Sequence, residues 1–489
     1  MLFGSLEFVF GFLPAALIAY HLLRLRGWQT AAKLAMVAAS LVFYGWWDPR
    51  YVLLVLASIA VNYTLGALIH GAAAPGPRKA LLLLGLLLNL GLLGYYKYSG
   101  FFLQTLGGLF GVEGVAATLI IPLAISFFTF QQIAYLVETW RGQPPASNLL
   151  DYLLFVLFFP HLIAGPITHH TEMLPQFHEA GRGRLPAGFI GMGAAIFVLG
   201  MAKKVLIADT VAHFADPVFD AAARGTMLSA ADAWMGALAY TLQLYFDFSG
   251  YSDMAIGIGL LFGIRFPVNF NSPYKARSIV DFWRRWHISL SAFLRTYLYI
   301  PLGGSRAGEA RRYANLMATM TLGGLWHGAG WTFLFWGFLH GVYLMANHAW
   351  SARAGDRLRL PRGLAWLLTM LGVIVAWVFF RAASFGAALG ILGAMAGIAG
   401  DAGQAGLPDR QLGWLLIAIA GLIAVTQPNV LQVARYPQGL DEAASRVHPG
   451  FDLRRLATSP ALASVCLGLL AAACIARLPK PGVFLYFTF

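Results

Sequence analysis

Apolar residues along this chain come in long unbroken runs, not in the alternating or one-sided patterns of water-soluble strands and helices. Windows free of Asp, Glu, Lys and Arg extend from Leu34 to Trp47, Tyr51 to Pro77, Ala80 to Tyr96, Gly114 to Val137, Tyr152 to Thr171 and Leu185 to Ala202. Others cover Ala233 to Phe246, Tyr313 to Ala352, Gly363 to Phe380, Gln411 to Ala434 and Leu456 to Ala476. A helix needs about 20 apolar residues to cross a bilayer, so the longer windows predict spans and the shorter ones predict tilted, paired or re-entrant segments. The pattern predicts an all-α polytopic transmembrane bundle of roughly 11 to 14 helices. No soluble domain, long linker or fixed-period repeat interrupts it, so residues 1–489 read as a single integral membrane domain.

Composition sharpens this. Hydrophobic residues make up 59% of the chain and charged ones 11%, against about 25% charged in a soluble domain. Apolar surface on that scale needs a solvent that accepts it on the outside, and the 14 Trp and 19 Tyr suit a protein with two membrane interfaces to anchor.

The net charge of +13 raises the question of a nucleic-acid partner. The basic residues lie instead in short loops between apolar runs, which is the positive-inside pattern and suits anionic lipid or a phosphorylated ligand. No basic run interleaved with stacking aromatics is present, so nucleic acid is not expected. Arg24, Arg26 and Lys33, then Arg78 and Lys79, then Arg353, Arg357, Arg359 and Arg362 predict cytoplasmic loops, whereas Asp209, Asp216, Asp220 and Asp232 predict an external one. Glu7 before the first apolar run, with Arg24 and Arg26 after it, predicts an uncleaved first helix with its start outside. Cys466 and Cys474, eight apart in an apolar segment, read as plain helix residues.

The stretch from Asp247 to Arg312 differs in kind. Asp247, Asp253, Arg265, Asn269, Asn271, Lys275, Asp281, His287 and several arginines crowd among apolar residues, punctuated by Gly257, Gly259, Gly263, Pro267, Pro273, Pro301, Gly303 and Gly304. Polar groups at membrane depth are costly unless they face a wet cavity or one another, and irregular backbone there lines cavities. The segment is therefore read as a functional site.

Two histidines stand out. His287 sits in a cationic and aromatic run from Asp281 to Ser289, and His327 lies in Gly323-Gly324-Leu325-Trp326-His327-Gly328 within a window free of full charges. His327 is 15 residues beyond Arg312, roughly 22 Å along a helix. An uncharged imidazole at that depth suits a general base for a hydroxyl attacking a thioester. The bland alternatives are a histidine bonded to a neighbouring helix for His327 and an interfacial Trp-His anchor for His287. Arg277, Arg284, Arg285, Arg295 and Arg306 form a basic set suited to phosphates, with a lipid-facing rim as the alternative for any one of them. His161, His169, His170 and His178 cluster loosely around Gly165-Pro166, but no spacing fixes a ligand set and no metal site is expected. The G-x-S-x-G, Walker A, H-E-x-x-H and G-x-G-x-x-G signatures are missing, which removes the usual warrant for hydrolase, ATPase, zincin and dinucleotide readings.

At these residues the chain resembles the membrane-bound O-acyltransferase family, and within it the bacterial alginate O-acetyltransferase branch. The resemblance is carried by Phe43 to Trp47, Ile125 to Gln131, Gly165 to Ile167, Pro175 to Phe177, Lys203 to Asp209 and Tyr245 to Asp253. It is strongest at Asp281 to Ser291, Tyr297 to Gly304 and Gly323 to Gly328, with core motifs across residues 120–345 and a matching aromatic ending from Phe484 to Phe489. Thr296 departs from relatives that carry an acidic residue there.

The resemblance implies a helical fold whose funnels from the two sides meet near an essential buried histidine, matching His327, with His287 as the second. It further implies acetyl-CoA as cytoplasmic donor, whose phosphates the basic residues Arg277, Arg284, Arg285 and Arg295 suit by their chemistry. A periplasmic SGNH-type partner would deliver acetyl to an exopolysaccharide such as alginate, and the setting would be the bacterial inner membrane. His327 is then either the base or a transient acetyl carrier. The competing reading is a polysaccharide export or transport component without acyl chemistry, which shares the broken helices and intramembrane polar groups.

Overall fold

The computed structural model describes residues 1–111, 119–180, 185, 187–306, 308–354, 360–398, 405–436, 460–478 and 485. Outside them lie Arg357, Arg359, the beginnings of the Gly114 and Leu456 windows, and every residue of the aromatic ending except Leu485. Among the described residues the regular structure is helical throughout, as the apolar runs predict. Five stretches are long and apolar enough to cross a membrane: Glu7–Leu25, Arg50–Gly71, Pro75–Phe110, Gly188–Ala223 and Arg362–Arg381. The protein is a multi-pass membrane protein. The two stretches of 36 residues are not plain α-helices, since π-helical turns at Gly94–Tyr98 and Lys203–Ala208 lie within them.

The chain forms two compact units. The first holds Met1–Phe197 and Met254–Pro267. Its helices, numbered in chain order, are α1 (Leu13–Leu25), α2 (Gln29–Gly45), α3 (Arg50–Gly71), α4 (Pro75–Leu93), α5 (Ser99–Phe110), α6 (Ile125–Trp140), α7 (Leu149–Leu157), α8 (Phe159–Leu162), α9 (His170–Ala180) and most of α10 (Ala187–Ala202). Helix α6 is buried almost all round because α3 and α4 present glycines to it: a Cβ on Gly66 would meet the Tyr135 ring, and one on Gly85 would meet Leu136. Asn62 and Asn89 exchange amide hydrogen bonds between α3 and α4, each satisfying a group that would otherwise be bare in an apolar interior.

The second unit holds Val198–Asp253 and Val268–Phe489. It contains α11 (Asp209–Ala223), most of α12 (Ala230–Leu261), the short α13 (Ile279–Arg285) and α14 (Ile288–Leu294), then α15 (Glu309–His327), α16 (Trp331–Ala354), α17 (Arg362–Arg381), α18 (Phe385–Met395), α19 (Arg410–Thr426), α20 (Val430–Val433) and α21 (Pro460–Arg477). Helices α15 and α16 form a tight hairpin through Gly328, Ala329 and Gly330. Their backbones touch where side chains are missing: a Cβ on Gly337 would run into the Met320 carbonyl, one on Gly324 into the Phe333 carbonyl, and one on Gly341 into Met317. Gly337 and Gly341 are four apart on one face, the small-residue spacing that lets apolar helices pack backbone to backbone.

This approach fixes the end of α15, and with it His327. Gly337→Ala forces the pair apart against backbone, and overpacking of this kind costs about 1–3 kcal/mol. The detergent-solubilised variant should unfold several degrees below the wild type by scanning fluorimetry, and an unchanged midpoint would mean that the hairpin does not depend on this contact.

Candidate functional site

His287 is held by an unusual local backbone. Helix α13 begins at Ser278, whose hydroxyl accepts from the Asp281 amide at 3.0 Å. It stops at Trp286, and His287 then takes a left-handed conformation, φ 43° and ψ 55°, before α14 begins. A non-glycine residue there costs of order 1–2 kcal/mol, and such strain persists only where surroundings impose it. Asn269 imposes it. Its backbone carbonyl accepts from the Ile288 amide at 3.0 Å, while Oδ1 accepts from His287 Nδ1 at 3.1 Å, Ser289 Oγ at 2.9 Å and the Ser289 amide at 3.3 Å.

Three donors on one atom identify that atom as oxygen, so the imidazole proton lies on Nδ1. His287 Nε2 therefore carries a lone pair, and it is buried with no hydrogen-bond partner among the described residues. Asn269 Nδ2 donates in turn to Ser252 Oγ at 3.3 Å, fastening the arrangement to α12. The Phe248 ring lies edge-on to His287 at 4.8 Å.

His327 is the last residue of α15, so the interval from Arg312 is continuous helix, as its depth in the apolar window implies. Rings enclose it: Trp326 at 5.0 Å, Trp336 at 5.2 Å, Phe380 at 5.4 Å and His287 at 6.2 Å between centroids. Both histidines are buried, His287 completely and His327 with 5% of its surface exposed. The structure thus joins the two histidines, which are 40 residues apart, in one aromatic chamber. Two imidazoles enclosed by aromatic rings, one of them with a lone pair on a buried nitrogen, are suited to moving a proton off a hydroxyl.

A separate cavity of about 700 Å³ has a wall that includes Arg284, Arg295 and Arg312, with Trp283, Tyr299 and His348. Of the four arginines expected to hold phosphates, it brings together Arg284 and Arg295. Arg285 turns away to Asp281 at 2.8 Å and to the Asn271 carbonyl, and exposed Arg277 is no part of the wall. Arg312 and His348 were not legible as members, because α15 and α16 meet the α13–α14 segment only in three dimensions. Among the described residues no carboxylate pairs with Arg284, Arg295 or Arg312. The π-helical turn Arg295–Tyr299 swings both its end residues into this wall, and such turns recur at functional sites.

The other polar groups of the sequence motifs are spent on one another. Lys204 bridges Asp209 at 2.7 Å and Asp247 at 2.5 Å, Lys203 meets Asp253 at 2.7 Å, and Asp247 also accepts from the Leu485 amide at 3.0 Å. In the first unit the loose histidine cluster resolves into separate pairings. His169 and His170 both face Glu138, at 2.7 and 3.0 Å, His178 bonds Asp151 at 2.8 Å, and His161 bonds the Phe155 carbonyl at 3.0 Å. Among the described residues no group of three metal-ligating side chains forms. Burial alone would raise the Asp151 carboxyl, but Lys33 at 2.5 Å, Asn148 and His178 hold it below the usual carboxylate range.

Residues 142–387 match the model of the membrane-bound O-acyltransferase family. A peptidoglycan O-acetyltransferase of Helicobacter pylori is 47% identical over 419 residues, 80% of this chain and 79% of that one. A probable alginate O-acetylase AlgI of Pseudomonas aeruginosa is 45% identical over 395 residues, 79% of this chain and 73% of its own. A teichoic acid D-alanyltransferase of Bacillus subtilis is 28% identical over 266 residues, covering 53% of this chain and 66% of that one.

A wall carrying three guanidinium groups without carboxylate partners should bind phosphorylated anions. Hydrogen bonds to charged groups are worth about 1.5–3 kcal/mol, so Arg295→Gln or Arg312→Gln should weaken binding of a nucleoside diphosphate by about tenfold or more. Isothermal titration in low-salt detergent buffer reads this directly, and unaltered affinity in both variants would take the anion out of the cavity.

Proposed function

The chain belongs to the membrane-bound O-acyltransferase family, and from that premise we propose that it carries acetyl from acetyl-CoA, bound on the cytoplasmic side of a bacterial inner membrane, toward the hydroxyls of an exopolysaccharide such as alginate. The observation that carries this reading is the double role of α15. Arg312, Leu316, Thr319 and Met320 of this helix line the arginine-walled cavity, and the same helix ends at His327, seven residues beyond Met320. A single rigid element thus sets the distance between an anion site and a base. Acetyl-CoA has that division of chemistry, with phosphates at one end and a thioester at the other.

In the reaction we propose, the acceptor oxygen attacks the thioester carbonyl, the C–S bond breaks, and the hydroxyl proton passes by way of His327 to the departing thiolate. His287, with its lone-pair nitrogen in the same chamber, orients or relays that proton. The same His327 nitrogen serves a two-step route equally well, by taking the acetyl first and handing it on; an acetylated histidine trapped by rapid acid quench distinguishes the routes. The acceptors named for the relatives, alginate and peptidoglycan, are both hydroxyl-bearing glycans. A periplasmic SGNH-type protein would complete delivery to the polymer.

His327→Ala should reduce acetyl transfer in membranes to background, a loss of about 10²–10⁴-fold for a general base, with normal insertion and gel-filtration behaviour. Wild-type transfer by this variant would remove the residue from the mechanism. Asn269→Leu strips His287 Nδ1 of its acceptor and should lower kcat about tenfold or more at unchanged KM, whereas Asn269→Asp, which keeps an acceptor, should recover much of the loss. Equal losses in the two variants would assign Asn269 to folding alone.

A further inference from the structure

His340 takes no part in the reaction proposed above, yet it is wholly buried on α16 between the close-packed Gly337 and Gly341. Trp283 Nε1 donates to its Nδ1 at 3.2 Å. An indole nitrogen can only donate, so Nδ1 is the acceptor and the imidazole proton lies on Nε2. That Nε2 is buried without a hydrogen-bond partner among the described residues. A histidine satisfied at one nitrogen only is less stable in such packing than an apolar ring of its size. The bond to Trp283 is what the position provides.

Trp283 has two sides. On one it lines the cavity beside Arg284 and Arg295. On the other its ring meets Trp336 at 5.9 Å, and Trp336 meets the His327 ring edge-on at 5.2 Å. Trp336 cannot readily yield, since it stacks on Trp377 at 5.6 Å with 16° between planes. The cavity wall on α15 ends at Met320, seven residues before His327, or about 10 Å along the helix. Two indole rings therefore stand between the anion-binding cavity and the base, and the nearer is pinned by His340. Any acyl group carried from the cavity to His327 has to fit the space these rings leave.

We propose that Trp283, fixed by His340, is the partition that sets acyl size in this chain, passing a two-carbon acyl thioester and refusing longer ones. His340 is on this view a positioning residue. The inference rests on the reading of the site as one that consumes an acyl-CoA, and it adds which residues choose among them.

The test measures free-thiol release from acetyl-, butyryl- and hexanoyl-CoA by the purified full-length protein in lipid nanodiscs. Trp283→Ala opens the partition and should raise butyryl relative to acetyl kcat/KM about tenfold or more, the scale on which apolar pockets discriminate methylenes. His340→Leu and Trp283→Phe both keep bulk but lose the bond, and should move the same ratio several-fold. His340→Gln, whose amide oxygen replaces the acceptor, should stay near wild type. The His340→Leu against His340→Gln comparison carries the test if Trp283→Ala fails to purify as a monodisperse protein. Ratios that stay fixed in the alanine, leucine and phenylalanine variants, while acetyl-CoA still turns over, overturn the partition. A wild-type protein releasing thiol from none of the three substrates overturns the acyl-CoA reading itself, and the partition with it.

Discussion

A polar side chain buried among apolar ones must find partners, and at the centre of this protein that requirement is met by one oxygen. Asn269 Oδ1 gathers His287, the Ser289 hydroxyl and the Ser289 amide, and the backbone of the same residue takes the Ile288 amide. These bonds offset the cost of a left-handed His287 and decide which nitrogen carries the proton. They also set the break between α13 and α14, and so the directions in which Trp283 and Arg284 leave one helix and Arg295 the next. Were Asn269 apolar, the imidazole would lose its tautomeric preference and the junction its reason to kink.

The second constraint is steric. Helices α15 and α16 approach so closely that carbonyl oxygens occupy the space of missing side chains at Gly324 and Gly337, and the Met317 side chain does so at Gly341. The benefit appears on the neighbouring face, where Trp336 and His340, four residues apart on α16, project together toward His327 and Trp283. Glycine on one side of the helix thus fixes the placement of aromatic rings on another.

Much of this could be read along the chain, because membrane depth and helix length both leave one-dimensional traces. The apolar windows mark the helices, and the charge-free run behind Arg312 reads as continuous helix, which α15 is from Glu309 to His327. The arginines were half legible. Arg285 lies four residues after Asp281, a spacing that predicts an ion pair on a helix and is a signal against its holding a ligand; the pair forms at 2.8 Å. Contacts over large separations left no trace. The meeting of Trp283 with His340 spans 57 residues, and the entry of Arg312 and His348 into the cavity wall depends on how the α15–α16 hairpin packs. Nor did anything in the sequence mark His287 for positive φ: Asn269 stands out only as one polar residue of the crowded stretch, and its bonds to His287 and Ser289 span 18 and 20 residues. Likewise His340 reads as one more position of an apolar helix.

The distribution of charge then constrains the donor. Lys204 is buried between two carboxylates and half-buried Lys203 meets Asp253, whereas Arg284 and Arg295 keep solvent contact and, like Arg312, have no acidic partner among the described residues. That division follows from desolvation, because a cation withdrawn from water without a counterion costs several kcal/mol. On the function proposed above, the phosphates of the donor would rest at the arginine wall and its uncharged acyl end would reach toward His327. From Arg312 to His327 is roughly 22 Å of helix. On the acyl-CoA reading proposed above, a phosphorylated head joined to its reactive carbonyl through a long, narrow, neutral arm matches this separation of charged wall from aromatic enclosure.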